Sequence, residues 1–287
     1  GGDFSFNFVQ KFDVDSNTWV QLAERPGFTD STAPTAVHDD EIIVFGGHVG
    51  EEGPPSGSID AYNPATNSWR NVTELPVGLA NMGVAIIGDT AYVFGGYYIA
   101  DETISDEVMT YNSATDTWQR DVATMPAPAV HQYTSAAPVI DGQIYLLGGI
   151  TGESRQNHVY RDTVDIYNPI TNEFTAGPAL PTVLHDHVTV AVGNVLFAIG
   201  GSTAPDSDIV SAELWSLEIP PTLGTISGVV WRDTTANSIN DGEAGVQGVT
   251  VNLYATGGVT PLQTTTTAGD GAYSFGSLSA GNYFVEF

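Results

Sequence analysis

The stretch Tyr62-Asn-Pro-Ala-Thr-Asn-Ser-Trp69 has three further copies along the chain, and each copy joins two aromatic residues that lie seven positions apart. The other copies run from Phe12 to Trp19, from Tyr111 to Trp118 and from Tyr167 to Phe174. Between the aromatics lie mainly Asp, Asn, Pro, Ser and Thr, which favour tight turns. The pattern predicts two short strands joined by a turn, repeated four times.

An apolar run that closes on a Gly-Gly pair repeats in step with these copies. Counted from the second glycine, the pairs are separated by 45, 49, 53 and 52 residues. Glycine lets the chain leave a strand in a backbone conformation that a Cβ would hinder. Self-similarity at about 50 residues, built from short strands, is typical of a β-propeller. The second glycines are Gly2, Gly47, Gly96, Gly149 and Gly201.

The repeat also predicts which parts of the propeller the chain contains. Three whole four-stranded blades are expected at residues 33–72, 82–122 and 134–176. Residues 1–22 are expected to form the second half of a blade, and a fifth unit over residues 187–217 is expected to hold three strands. We therefore expect an incomplete propeller of about four to five blades at residues 1–217, truncated at its N-terminus.

The formal net charge of −27 results from a scarcity of basic residues. Asp and Glu total 34 of 287 residues, whereas Lys and Arg total 7. Nucleic acid and anionic membranes both need a cationic counter-surface, so the composition opposes binding to either. Divalent cations and neutral polar ligands are the compatible partners.

Two absences in the sequence narrow the possibilities further. The chain has no cysteine, which excludes cysteine nucleophiles and thiolate metal sites. A secreted protein stabilised by stacked blades does not need disulfides, so their absence is compatible with secretion. The chain also has no run of 18 apolar residues, so we expect no membrane insertion in this stretch.

The Gly-Gly pairs, the aromatic spacing and the Leu-Pro or Met-Pro steps that follow resemble the kelch-repeat family over residues 1–217. The resemblance implies an all-β, kelch-type β-propeller. This fold serves galactose-oxidase-like copper enzymes, sialic-acid mutarotases and many binding scaffolds. The copper enzymes use a cysteine cross-linked to a tyrosine, so the lack of cysteine excludes a copper-Cys-Tyr cofactor here.

A second domain is predicted after a proline-stiffened linker at residues 218–224. Beyond it the sequence changes to Thr-, Val- and Gly-rich alternation with little charge. Spaced turn residues there predict a small β-sandwich over residues 225–287, truncated at its C-terminus. The expected strands are 226–231, 248–254, 263–267, 273–275 and 283–287.

This second part resembles the SdrD B-like domain of bacterial surface adhesins. The resemblance rests on Ile226-Ser-Gly-Val-Val-Trp-Arg-Asp233, on residues 245–254 and on Gly281-Asn-Tyr-Phe-Val-Glu-Phe287. It implies an Ig-like or prealbumin-like β-sandwich that serves as an extracellular stalk and commonly binds calcium. From it we expect a bacterial protein that is secreted, with an extracellular or cell-surface location.

Hard oxygen ligands lie along one short loop of this domain, at Asp233, Asn237, Asp241 and Glu243. Calcium takes six to eight oxygen ligands and favours Asp, Asn and Glu near a glycine that bends the loop. The loop is therefore a candidate Ca²⁺ site. The alternative is a loop that its own Asx turns stabilise.

A candidate ligand-binding face is predicted on the propeller. In a four-stranded meander, the connector to the next blade and the loop after Gly-Gly lie on the same face. These segments carry aromatic and hydrogen-bonding side chains suited to carbohydrate. Packing of the histidines inside the propeller is one alternative, and a metal or catalytic role is another. The candidate residues are Tyr97, Tyr98, His131, Arg155, His158, His185 and His187.

Taken together, these patterns favour a non-enzymatic binding or adhesion protein. The propeller would present its loop face to a glycan or protein ligand, on a calcium-stiffened stalk. One alternative is a propeller enzyme acting on sugars, with polar groups from His131, Arg155, His185 and His187. Another is a structural subunit of a surface layer or filament, in which the domains pack against copies of themselves.

Overall fold

The computed structural model describes residues 9–27, 33–47, 56–98, 103–130, 136–152, 158–203, 211–279 and 281–287. It divides the chain into two compact units, Gly1–Ile219 and Pro220–Phe287. The described residues form β-strands and no helix, so the predicted all-β class is confirmed. Accordingly, no helix in these ranges is long and apolar enough to cross a membrane.

The first unit is a series of short antiparallel strands. The first of them are β1 (Gln10–Asp13), β2 (Thr18–Gln21), β3 (Thr35–His38), β4 (Glu41–Phe45), β5 (Ser58–Asn63), β6 (Ser68–Glu74), β7 (Leu79–Ala80), β8 (Gly83–Ile87), β9 (Thr90–Phe94), β10 (Tyr97–Tyr98) and β11 (Thr103–Ile104). The rest are β12 (Glu107–Asn112), β13 (Thr117–Thr124), β14 (Val139–Ile140), β15 (Gln143–Leu147), β16 (Ile150–Gly152), β17 (His158–Tyr160), β18 (Val164–Asn168), β19 (Glu173–Ala176), β20 (Val188–Val192), β21 (Val195–Ile199) and β22 (Leu214–Glu218).

These strands form the predicted blades. Blade I consists of the hairpin β1–β2, and blade II has the strand order β3-β4-β5-β6. Blade III has the order β8-β9-β12-β13 and blade IV the order β14-β15-β18-β19. Blade V contains β20-β21-β22 and has no fourth strand among the described residues. Three blades are therefore complete four-stranded meanders, as the repeat predicts.

The repeated aromatic stretch is closed by a polar clip in every complete blade. In blade II, the Tyr62 hydroxyl donates to Asn67 Oδ1 at 2.8 Å, and the same bond joins Tyr111 to Asp116 and Tyr167 to Asn172. The accepting residues have φ of 51°, 52° and 58°, a left-handed conformation that Asn and Asp adopt more readily than most residues. The clip thus explains why an Asn or Asp always lies five residues after the tyrosine.

The Gly-Gly pairs allow the chain to pass close to the connector of the next blade. Gly95 has φ +57°, and a Cβ there would lie 2.2 Å from the carbonyl oxygen of Ala129. Gly148 has φ +59°, and its Cβ would lie 2.3 Å from the oxygen of Leu184. Backbone oxygen cannot give way at such distances, so only glycine fits these positions.

The apolar core lies between blades rather than within them. One cluster joins Phe45 and Ile59 of blade II to Val93 and Met109 of blade III. Equivalent clusters join blade III to blade IV and blade IV to blade V. Trp118 of blade III packs against the first cluster, so this copy of the repeated Trp lies between neighbouring blades as predicted.

The second unit is a small sandwich of two antiparallel sheets. One sheet pairs β23 with β26, and the other has the order β25-β24-β27. Val251, Leu253, Phe275 and Leu278 form its buried core. The strands are β23 (Gly224–Val229), β24 (Thr250–Ala255), β25 (Gln263–Thr266), β26 (Ala272–Leu278) and β27 (Tyr283–Glu286).

Trp118→Ala is expected to lower the free energy of unfolding of the propeller by about 3 kcal/mol, because it opens a cavity between two blades. Urea denaturation followed by circular dichroism measures the change. Trp19 belongs to the same repeat but is 67% exposed, so Trp19→Ala is the matched control, with a cost of at most about 0.5 kcal/mol. Equal costs for the two substitutions would contradict the assignment of Trp118 to the interblade core.

Candidate functional site

A second layer of β-structure covers one face of the propeller. The loop after the Gly-Gly pair of blade III forms β10 and β11, and β10 also pairs with β7 of the connector that leads into that blade. Backbone bridges repeat this contact between Val130 and Ile150 and between His185 and Ser202. The connectors and the loops therefore do lie on the same face, which we call the loop face.

Tyr97 and Tyr98 lie side by side on β10 but have different surroundings. Tyr97 is buried and packs with Val130 and Ile150. Tyr98 is partly exposed, and its hydroxyl lies 3.2 Å from both Ser105 Oγ and Glu107 Oε2. Burial raises the pKa of Tyr98, so its hydroxyl stays protonated and can donate to Glu107. Tyr98 is thus partly exposed and also packs against the cluster between blades II and III, whereas Tyr97 is buried in the layer.

His185 and His187 lie in the connector between blades IV and V, and both are buried. The His185 ring lies 4.3 Å from the ring of Tyr160, and its Nδ1 atom lies 3.1 Å from Asp186 Oδ2. Burial lowers the pKa of His187 to about 4, and the neighbouring Asp186 carboxylate opposes this shift only in part. The arrangement favours the packing alternative for both histidines, and their contact with a ligand stays a prediction.

The remaining predicted face residues are described only in part. His131 and Arg155 lie outside the described residues, and only the backbone of His158 is described, at the start of β17. The structure therefore places Tyr97 and Tyr98 in the connector and loop pair of blade III and His185 and His187 in that of blade V, with the Val130–Ile150 pair of blade IV between them.

Four of the seven basic residues form ion pairs with carboxylates of their own or a neighbouring blade strand, two of them buried and two partly exposed. Arg25 pairs with Asp60 at 2.8 Å and Arg161 with Asp165 at 2.6 Å, and all four side chains are buried. The other two pairs are Arg70 with Glu41 at 2.5 Å and Arg120 with Glu107 at 2.6 Å. The Arg120 guanidinium holds the pKa of Glu107 below its usual value. These arginines are committed to the fold and leave the surface strongly acidic.

The predicted calcium loop is a closed structure with its own hydrogen bonds. The Trp231–Gly245 bridge closes its stem. The amides of Asn237 and Ser238 donate to the two carboxylate oxygens of Asp233, at 3.2 Å and 2.8 Å. These bonds, led by the one from Ser238, lower the pKa of Asp233, so the carboxylate is ionised at neutral pH.

The remaining candidate ligands divide between two sides of this loop. Asn237 Nδ2 donates to Asp241 Oδ2 at 3.2 Å, which links Asp241 to the Asp233 side. Glu243 instead accepts from the Thr234 hydroxyl at 2.8 Å and from the amides of Thr234 and Thr235. Its Oε2 atom is buried and has no hydrogen-bond partner among the described residues.

The loop contains the kind of oxygen ligands that calcium binds, although these oxygens do not converge on one point. Within the described part of the chain, no three His, Cys, Asp or Glu side chains converge as metal ligands. Carboxylate and amide oxygens are the ligands that Ca²⁺ prefers. Glu243 Oε2, which has no hydrogen-bond partner among the described residues, is an oxygen that could coordinate the ion. Asp233, Asn237, Asp241 and Glu243 could hold the ion if it replaced the hydrogen bonds of the loop.

Sequence reasoning missed two features of the propeller. The first is the added layer of β7, β10, β11, β16 and β17, whose segments are too short to show an alternating pattern. The second is the set of buried arginine–carboxylate pairs. An acidic residue two positions before the repeated tyrosine, as in Asp60-Ala-Tyr62 and Asp165-Ile-Tyr167, was the available signal for it.

His187→Gln is expected to flatten the fall in stability on acidification. In the folded chain the pKa of His187 is about 4, below the usual value of about 6.5, so the unfolded chain binds the proton more tightly. This histidine therefore costs no stability above pH 6.5 and progressively more as the pH falls to 4, reaching roughly 3 kcal/mol. Denaturant unfolding of both proteins at pH 7.5, 5.5 and 4 measures the difference. Parallel pH profiles would contradict the neutral, buried state.

Comparison with known proteins agrees with both parts of the fold. A family model described as the Attractin/LZTR1 beta-propeller matches residues 2–222, and a model of the SdrD B-like domain matches residues 224–287. The solved structure of YjhT resembles this chain with a TM-score of 0.63 at 17% identity, covering 75% of this chain and 73% of that chain. This likeness concerns the fold alone.

Two curated relatives are similar to parts of this chain. Serine-aspartate repeat-containing protein I of Staphylococcus saprophyticus is 32% identical over 142 residues, which are 48% of this chain and 7% of that protein. Kelch-like protein 36 of Mus musculus is 26% identical over 189 residues, 61% of this chain and 28% of that protein. The matched regions thus span a small part of these relatives. The chain belongs to the Attractin/LZTR1 beta-propeller family, and its last 64 residues are an SdrD B-like domain.

Proposed function

We propose that the chain is part of a bacterial cell-surface binding or adhesion protein whose propeller holds a glycan or protein ligand on its loop face. The observation that carries the proposal is the pairing of a propeller with a domain of surface-adhesin type in one chain. One relative similar to part of this chain is a serine-aspartate repeat-containing protein of a staphylococcus. The domain combination favours secretion to the cell surface.

The geometry of the loop face supports binding rather than catalysis. The β7–β10–β11 layer carries the partly exposed Tyr98, whose hydroxyl lies next to the buried Ser105 and Glu107, and Glu107 pairs with the half-exposed Arg120. Flat aromatic rings beside hydrogen-bonding groups suit both sugars and protein side chains. The groups with shifted pKa values nearby, Glu107 and His187, owe their shifts to an ion pair and to burial, which are structural causes.

The negative net charge of the chain limits the class of ligand that the loop face would bind. The chain carries 34 acidic and 7 basic residues, and four of the basic ones are paired with carboxylates of the propeller. An acidic surface repels anionic polymers and attracts cations over several ångströms. A neutral glycan or a protein with a basic surface is therefore the favoured ligand.

The second part of the proposal is that the SdrD B-like domain binds Ca²⁺ through the loop of Asp233, Asn237, Asp241 and Glu243. The ion would replace the hydrogen bonds that now close the loop and would take up the free oxygen of Glu243. A bound ion cross-links the loop and so stiffens the domain as a stalk. The role of the metal is thus mechanical rather than chemical.

A glycan array probed with the folded chain tests the ligand proposal. Selective binding to one class of neutral glycan is expected, and Tyr98→Ala should weaken it by about tenfold or more, as aromatic anchors at interfaces do. Trp19→Ala removes an exposed aromatic outside the loop face and should leave binding unchanged. A blank array would contradict the glycan ligand and leave a protein ligand, to be sought with the same variants.

Calcium is expected to raise the melting temperature of the SdrD B-like domain in scanning calorimetry. At a concentration one hundred times the Kd, binding to the native state alone adds about 2.7 kcal/mol. Asp233→Asn should abolish the increase. Asp270→Asn is the matched control, since Asp270 lies outside the loop and its acceptor bond to the Ala272 amide survives as an amide oxygen. No increase in the wild-type chain, or an equal one in Asp233→Asn, would contradict the site.

A further inference from the structure

A cavity lies between blades II and III, both of which are complete four-stranded sheets. It has a volume of about 60 Å³, and its walls are mainly apolar, with Ile43 and Phe45 on the side of blade II and Ile86 and Ala91 on the side of blade III. Its exposed lining residues lie in or beside turns, at the end of the blades opposite the loop face, which we call the turn face. The cavity is therefore separate from the ligand site proposed above.

The first cause of the cavity is the size of Ile43. Ile43 pairs with Ala61, the residue before the repeated tyrosine of blade II. At the same register, β9 of blade III carries Tyr92 and β15 of blade IV carries Tyr145. Both rings pack into the cluster that their blade shares with the following blade. The interface between blades II and III therefore lacks a ring that the next two interfaces contain.

The second cause is Ala91 on the opposite wall. Ala91 pairs with Tyr111 of its own blade, and Ile144 occupies the same register opposite Tyr167 in blade IV. The side chain of Ala91 is much smaller than that of Ile144, so the wall is set back at this point. Protein interiors contain few voids larger than a water molecule. Two small side chains that face each other across one interface account for a cavity there.

Hydrogen bonds fix the residues around the mouth of the cavity. The amide and the hydroxyl of Ser113 donate to the backbone oxygen of Asp89, at 2.9 and 3.2 Å. The Arg70 guanidinium donates to both carboxylate oxygens of Glu41. Binding sites for small groups are usually formed before the ligand arrives, and these bonds provide such a preformed mouth.

The mouth carries more negative than positive charge. The charge of Arg70 is balanced by Glu41. Asp89 is exposed, and none of the ion pairs among the described residues includes it. The side chain of Asp39, which lies 3.4 Å from the lining residue His38, is 84% exposed. Exposed carboxylates attract positively charged groups, so a ligand with a cation at this end is favoured.

The volume of the cavity limits the apolar part of the ligand. An apolar cavity of about 150 Å³ stays dry and accepts a benzene ring. At about 60 Å³, this cavity is too small for a ring and matches a branched alkyl group such as the side chain of leucine. Removal of such a group from water supplies the driving force for its binding.

We propose that the cavity is a docking site, which we call the interblade site, for a leucine side chain of a partner protein that is next in sequence to a lysine or an arginine. The leucine fills the space between Ile43 and Ala91, and the basic side chain lies at the mouth near Asp89. The interblade site and the loop face lie at opposite ends of the blades. Binding at the interblade site therefore does not require that the loop face holds a ligand.

The dipeptide acetyl-Leu-Lys-amide is the probe, because it contains only the two side chains that the interblade site would recognise. Titration of the full 287-residue chain, followed by methyl NMR, should show saturable shifts of Ile59 and Ile86, two isoleucines of the lining. The Kd is expected to be on the order of millimolar, as is usual for so small a ligand. Acetyl-Ala-Lys-amide should bind about tenfold or more weakly. No saturable shift, or equal binding of the two peptides, would overturn the proposal.

Cavity-filling variants locate the bound leucine. Ile43→Tyr supplies the ring that Tyr92 supplies at the next interface, and Ala91→Ile fills the cavity from the other wall, so each should abolish binding. Val37→Tyr is the matched control, because Val37 is 74% exposed and lies outside the lining, and it should leave binding unchanged. Melting temperatures show which variants are folded, and cavity filling is expected to maintain or raise them. Undiminished binding to a folded Ile43→Tyr or Ala91→Ile chain would overturn the site.

Asp89→Asn tests the charge at the mouth. It should weaken acetyl-Leu-Lys-amide by about two- to fivefold, since an exposed charge pair contributes little. It should leave the uncharged acetyl-Leu-Gln-amide unaffected. Equal effects on the two peptides would contradict the basic neighbour of the leucine. Free L-leucinamide separates a partner protein from a small amine, and tighter binding of L-leucinamide than of acetyl-Leu-Lys-amide would overturn the proposed occupant.

Discussion

Burial of apolar side chains between neighbouring blades is the interaction on which the propeller depends. Each blade is a small sheet with two apolar faces, and the clusters draw their members from two blades at a time. A blade therefore cannot be stable without its neighbours. Blade V shows this dependence on the face that points away from blade IV. Val190, Val192 and Ile199 on that face are 39%, 64% and 43% exposed, whereas Phe94, the counterpart of Ile199 in blade III, is buried.

The polar groups of the propeller serve this stacking in two ways. The Tyr–Asx clip holds each turn so that the ring of the tyrosine faces the cluster it shares with the preceding blade. The buried arginines neutralise carboxylates next to the Gly-Gly pairs, as Arg25 does by bonding both Asp60 and the oxygen of Gly46. Because the buried arginines are already paired with carboxylates, the unpaired carboxylates determine the surface charge. The surface charge in turn limits which partners the chain can attract.

The fold could be predicted from the sequence because the repeated residues are those that form the strands of each blade and pack between blades. Tyr62, Trp69 and Gly47 have counterparts in blades III and IV because each occupies the equivalent position of the four-stranded meander. The site was less predictable, because its residues lie in loops of unequal length and their burial depends on tertiary contacts. His187 looked like a candidate ligand in the sequence, but the close passage of Gly201, whose Cβ would lie 2.7 Å from that of His187, encloses it. The burial of His187 could not be predicted from the spacing of residues, because it depends on this tertiary contact.

The β-layer on the loop face has an energetic consequence for any ligand. Loops that are free in solution lose conformational freedom when they bind, at about 0.5–1.5 kcal/mol for each side chain that becomes fixed. Here β10 is already paired with both β7 and β11, and His185 with Ser202, so much of that ordering is complete before a ligand arrives. Tyr98 is further fixed by its bonds to Ser105 and Glu107. For these described segments, the pairing lowers the entropic cost of the binding that we propose for the loop face.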